Sequence, residues 1–149
     1  MANLKGRGSQ AVRPGITIKG VLMGEIPLPN GEHVTEATIT DIHNTYKELI
    51  HRENMRRPKN KKLHGMTYPS FYALFRLARY LGLVEVVRDE LMLSPPAGGD
   101  LYSLRRDDGM DVVVSTRRVY RLTDKGREAE QSWQNLHRAW QHYRSMTTS

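Results

Sequence analysis

The chain has 149 residues, 38% of them hydrophobic and 26% charged, which suits one packed domain and argues against wholesale disorder. Lys and Arg number 23 against 16 Asp and Glu, and the resulting +7 favours a polyanionic partner, nucleic acid foremost. Cysteine is absent, which excludes disulfides, thiolate metal sites and cysteine nucleophiles. No apolar run approaches the ~20 residues that span a bilayer and no signal-peptide core is present, so a cytoplasmic protein is expected.

Residues 1–15 carry Gly, Ser and Pro, three cations and no acid, and read as a flexible basic arm. Ile16 to Leu22 alternates imperfectly and reads as a short strand or extended segment. Pro27, Pro29, Asn30 and Gly31 force a turn. Thr38 followed by Asp41 has the spacing of a capping box, with Thr35 an equal candidate for the helix start. Ile39, Ile42, Tyr46, Leu49 and Ile50 then make the stripe of an amphipathic helix to about Asn54. Pro58 breaks it inside RRPKNKK, which packs five cations into seven positions. Thr67 or Tyr68 caps a second helix, with Pro69 in its first turn. Phe71, Leu74, Phe75, Ala78 and Leu81 line one face of this 69–81 helix, and Gly82 ends it.

Leu83 to Val87 is rich in β-branched residues and reads as a strand. After a loop containing Pro95, Pro96, Gly98 and Gly99, further strands are expected at Val112–Val114 and Val119–Leu122, with Asp108-Gly109 as a hairpin turn. Which parts of 101–116 pair is left open by the sequence. Thr123 caps a last helix running to about Arg144, with Asp124 near its positive end. The domain expectation is an arm at 1–15, a folded domain at 16–126, and a C-terminal helical element at 127–149.

The order helix, basic turn, helix, strand, long loop, strand, helix is that required by a winged helix-turn-helix. The residues also carry a resemblance. Tyr68 to Glu85 (YPSFYALFRLARYLGLVE) is similar to the recognition helix and first wing strand of winged-helix regulators. Arg118 to Gly126 (RVYRLTDKG) resembles their second wing strand and the turn into the closing helix. Stretches of the GLVE and Y-x-L-T-x-x-G kind occur in PadR-like and MarR-like repressors, and the resemblance covers about residues 66–130. The inter-helix segment is longer and more basic than their pattern, the wing region longer, and the N-terminal extension has no counterpart in it. What the resemblance implies is an α+β, mostly α, winged helix-turn-helix domain with a long wing and a C-terminal helix, acting as a dimeric DNA-binding transcriptional regulator.

The site is argued from its own residues. Opposite the apolar face of the 69–81 helix lie Tyr72, Ala73, Arg76 and Tyr80, with Arg79 at the side and Ser70 and Tyr68 near the N-terminus. No carboxylate occurs in that helix. Arg bonds guanine bidentately, Ala allows close approach, and Tyr bonds phosphate or stacks on a base, so Ser70, Tyr72, Ala73 and Arg76 are the expected base contacts. Arg56, Arg57, Lys59, Lys61 and Lys62, together with Tyr68 and Arg79, are expected on phosphates, the alternative for the lysine-rich turn being a solvated loop. On the second wing strand alternation puts Arg117, Val119 and Arg121 on one face and Arg118, Tyr120 and Leu122 on the other. The latter face is expected inward, which leaves Arg117 and Arg121 as backbone contacts.

Ala129, Trp133, Leu136, Trp140 and Tyr143 form a heptad-like seam. It closes either the domain's own core or a two-fold dimer, and the dimer is the expectation, with Trp133, Leu136, Trp140 and Tyr143 at the interface. No i,i+4 histidine pair, P-loop, nucleotide-binding glycine fingerprint or nucleophile elbow is present, so no enzyme, metal or cofactor is expected. The alternative to a regulator is an assembly module holding nucleic acid or an acidic protein without reading sequence.

Overall fold

Helix α1 spans Pro14–Leu22. The expected strand at 16–22 is therefore a helix, and the reason lies in its burial. Pro14 takes the first helical turn, where its missing N–H costs nothing. Pro14, Gly15, Thr17, Ile18, Gly20, Val21 and Leu22 are all buried. A helix covered on most of its circumference carries no clean 3.6-residue alternation, so its β-branched residues mimic a strand. The only polar side chain in that buried set, Thr17, donates its hydroxyl to the Arg13 carbonyl at 2.8 Å. Val12 is also buried, so the basic arm expected over 1–15 is part of the core from residue 12. The computed structural model describes the backbone of residues 12–92, 100–105 and 111–148, and their side chains except those of 91–92, 100–105, 111–115 and 147–148. The rest of the expected arm, the Pro95–Gly99 loop and the Asp108-Gly109 turn lie outside these residues.

The turn at Pro27–Gly31 forms, with Gly31 at φ 90° and its N–H bonded to the Leu28 carbonyl at 2.8 Å. Strand β1, Ala37–Thr38, leads directly into helix α2, Ile39–Met55. Thr38 is the cap, its hydroxyl accepting from the Asp41 N–H at 3.2 Å. Ile39, Ile42 and Tyr46 are buried as the stripe requires. A 3₁₀ turn at Lys59–Lys61 follows Pro58, and helix α3 covers Tyr68–Tyr80. Phe71, Leu74, Phe75 and Ala78 bury its inner face, whereas Leu81 falls past the helix end and is 37% exposed. Gly82, at φ 79°, provides the left-handed residue that turns the chain into a strand.

Strands β2 (Val84–Met92), β3 (Asp100–Arg105) and β4 (Asp111–Leu122) complete an antiparallel sheet. Strand β4 is central. Val119 and Tyr120 pair with β1 on one edge, and residues 115–122 pair with β2 on the other. Residues 111–116 pair with β3, which answers the pairing left open over 101–116. The expected pieces 112–114 and 119–122 are thus one long strand.

Thr123 caps the next helix, its hydroxyl accepting from Gly126 N–H at 2.9 Å. The closing helix is interrupted, however. Helix α4 runs Asp124–Glu128, Ala129 leaves helical geometry at ψ 55°, and helix α5 runs Glu130–Thr148. Gly126 lies against the Leu83 carbonyl, where any Cβ would overlap it, and its own carbonyl accepts the Trp133 indole N–H at 2.7 Å. That hydrogen bond folds α5 back across the break, so α5 packs on α1 and α3.

Candidate nucleic-acid interface

Side chains of α2 fix where α3 begins. The Tyr46 hydroxyl accepts the Met66 N–H at 3.3 Å, and His43 Nε2 lies 3.0 Å from the Met66 carbonyl. A carbonyl only accepts, so the His43 proton is on Nε2. His43 is buried against Tyr46, Tyr68 and Phe71, and that burial lowers its pKa, with Lys47 adding to the effect and the Met66 bond opposing it. Eight residues beyond Tyr46 on α2, Asn54 brackets Leu63, accepting its N–H at 2.6 Å and donating to its carbonyl at 3.0 Å. The chain leaving the basic turn is therefore clipped to α2 at Leu63 and Met66, just before α3 begins.

The outer face of α3 emerges as the sequence places it. Tyr72, Ala73, Arg76, Arg79 and Tyr80 are all exposed, Ser70 is half-buried, and no acid interrupts them. Arg76 and Arg79 make no ion pair among the described residues. Tyr68 is less available, since it packs edge-on to His43 with ring centres 5.6 Å apart.

The turn is less uniformly free than its composition suggests. Arg56 and Arg57 both pair with Glu53, whose carboxyl is pulled below its ordinary pKa chiefly by the Arg56 hydrogen bond. Lys62 bonds the Asn54 carbonyl. Lys59 and Lys61 stay exposed and make no ion pair among the described residues.

The strand arginines need the largest revision. Arg121 is exposed but paired with Glu85 at 3.1 Å. Arg117 is half-buried, with its Nε lacking a hydrogen-bond partner among the described residues. Arg118, expected inward, is exposed and lies 3.4 Å from Asp89. Tyr120 and Leu122 are buried as expected, but Val119 is buried too. Val119 and Tyr120 pair with the buried Ala37–Thr38 of β1, so both faces of β4 are covered there, and a long arginine stem lets the charge leave the face its Cα occupies. The pairing was legible in principle: the antiparallel register sets Glu85, Asp89 and Glu90 opposite Arg121, Arg118 and Arg117.

Arg118 belongs instead to a junction between helix and sheet. Phe75 stacks edge-on against Tyr120 at 4.7 Å, and Tyr72 and Arg79 flank Phe75 on the helix at three and four residues. Burial raises the Tyr120 pKa, while the charges of Arg79 and Arg118 oppose that rise. A cationic edge thus joins α3 to β4.

The seam proposed for a dimer is core. Trp133 and Leu136 are each 1% exposed and Trp140 8%, all within the domain's hydrophobic cluster. Only Tyr143, at 60%, faces outward. α1, mistaken for a strand, supplies the surface that covers the seam: Gly15 lies against Trp133 and Leu136, and Lys19 pairs with Glu130. Beyond this packing, α5 forms one wall of a groove of about 490 Å³, lined by Ala73, Arg76, Leu77 and Tyr80 of α3 and by Trp140 and Tyr143. The sequence reading misses it because it arises between helices distant in the chain. No helix of the described residues is long and apolar enough to cross a membrane. No family model, curated protein or solved structure gives a significant match to this chain.

Proposed function

We propose that the chain is a DNA-binding transcriptional regulator of winged helix-turn-helix type, with α2 and α3 as the helix pair and β2 and β4 as the wing strands. The observation that carries this reading is the outer face of α3, where five neighbouring positions are exposed and none is acidic. A helix of this kind enters a major groove with its N-terminal half, where Ser70, Tyr72, Ala73 and Arg76 meet base edges. Lys59, Lys61 and Arg79 border it and take phosphates, whereas Arg118 is held by Asp89. Arg121 and Arg117 are withdrawn from that role by Glu85 and by partial burial.

In this reading a homodimer is built on a surface other than the Trp133–Trp140 seam, and sedimentation at micromolar concentration tests whether it forms. Selection of bound fragments from random duplex DNA tests the function itself. Recovery of a shared motif, bound in excess unrelated duplex, is the expected result. Fragments without a common sequence would favour the assembly module instead.

A further inference from the structure

The groove between α3 and α5 combines two properties that rarely coincide on a basic protein. Its floor and sides are apolar and aromatic, and two of its tyrosines remain open, Tyr80 at 86% and Tyr143 at 60% exposure. Both helices that form it are free of acid where they line it: neither Tyr68–Tyr80 nor Gln131–Thr148 contains Asp or Glu. Arg76 projects from one wall, and Trp140 and Tyr143 form the other. The space, about 490 Å³, falls within the range of small-ligand sites.

Charge decides the occupant. A second copy of this chain, itself at +7, would bring like-charged walls together in the same space. Flat rings beside the Arg76 guanidinium, which makes no ion pair among the described residues, match a planar base joined to a phosphate, because stacking tolerates any base and the cation answers the backbone. A base within a duplex offers no free π face to such a groove, so the occupant is unpaired.

We propose that this groove binds an unpaired nucleobase of single-stranded nucleic acid, with Tyr80 and Tyr143 as stacking surfaces and Arg76 on the adjoining phosphate. The inference does not depend on sequence-specific duplex binding, although Arg76 serves both.

The test measures binding of the full chain to a labelled twelve-nucleotide oligothymidylate, to an abasic oligomer of equal length and charge, and to a duplex, at one moderate salt concentration. The thymidylate should bind about fivefold or more tightly than the abasic strand. Tyr80→Ala and Tyr143→Ala should each remove most of that difference, and Tyr80→Phe should keep it. Both tyrosines are exposed, so melting temperatures should stay near that of the unaltered protein. Equal binding of the two single strands overturns the inference, and so does insensitivity to both alanine variants. A dimer that Tyr143→Ala dissociates would instead assign the groove to a second copy, and displacement of thymidylate by an acidic peptide of equal charge, but not by the abasic strand, would assign it to protein. The duplex arm separates the two readings: duplex binding with no base effect leaves the regulator standing alone, whereas a base effect without duplex binding leaves only the groove.

Discussion

In the proposed function Arg76 is the side chain on which base reading depends most, because it is exposed on the acid-free face and makes no ion pair among the described residues. Arg76→Ala should cost about 1–3 kcal/mol on the preferred duplex and relax preference at one base position. Titration against specific and random duplexes checks this, and an equal loss on both would place Arg76 on the backbone. His43 makes a different kind of prediction. Burial lowers its pKa, and burial with the Arg13 charge lowers that of His137. Both groups protonate more readily unfolded, so the unfolded chain takes up more protons as pH falls below the ordinary histidine value of about 6.5. Stability should therefore fall on acidification through that window and level off below the folded-state values. Thermal melts from pH 7.5 to 5 check the sign, and replacing both histidines with Gln should flatten the curve.

Among the elements, the 3₁₀ turn now offers two unpaired lysines rather than five free cations, and the expected salt effect shrinks accordingly. Lys59→Gln with Lys61→Gln should reduce the log–log salt slope of duplex binding by up to about two units. An unchanged slope would return the turn to a solvated loop. Helix α5 carries a stability prediction in place of the dimer. Trp133 is fully enclosed and its indole bonds Gly126, so Trp133→Ala should cost about 3–5 kcal/mol in chemical denaturation. Trp140→Glu should unfold the domain, since it puts a charge into the hydrophobic cluster. A folded Trp140→Glu chain, or a Trp133→Ala variant as stable as the unaltered protein, would contradict this packing. Helices α2 and α3 were legible because one face of each is buried and the other wet, so period and caps agreed. Helix α1 was not, because burial on nearly all sides erases the period, and the fate of the Trp133 seam followed from that error. The exposed α3 residues were readable for the same reason as the helix. The strand arginines were not, since their partners depend on strand register.

At the scale of the whole molecule, the +7 charge is unevenly spent. On the sheet, Arg88, Arg118 and Arg121 are each matched by acids of β2 or the preceding loop. The turn before α3 and the outer face of α3 hold Lys59, Lys61, Arg76 and Arg79, which make no ion pair among the described residues. Such asymmetry steers a polyanion toward one side of a domain and raises its encounter rate at low salt. The most direct test of that account is competition binding of the full chain to its best selected duplex, in the presence of a hundredfold excess of unrelated duplex. The account predicts that the specific complex survives for the unaltered protein and is lost for Arg76→Ala. Loss of the unaltered protein's complex to unrelated duplex would contradict sequence-specific reading by α3.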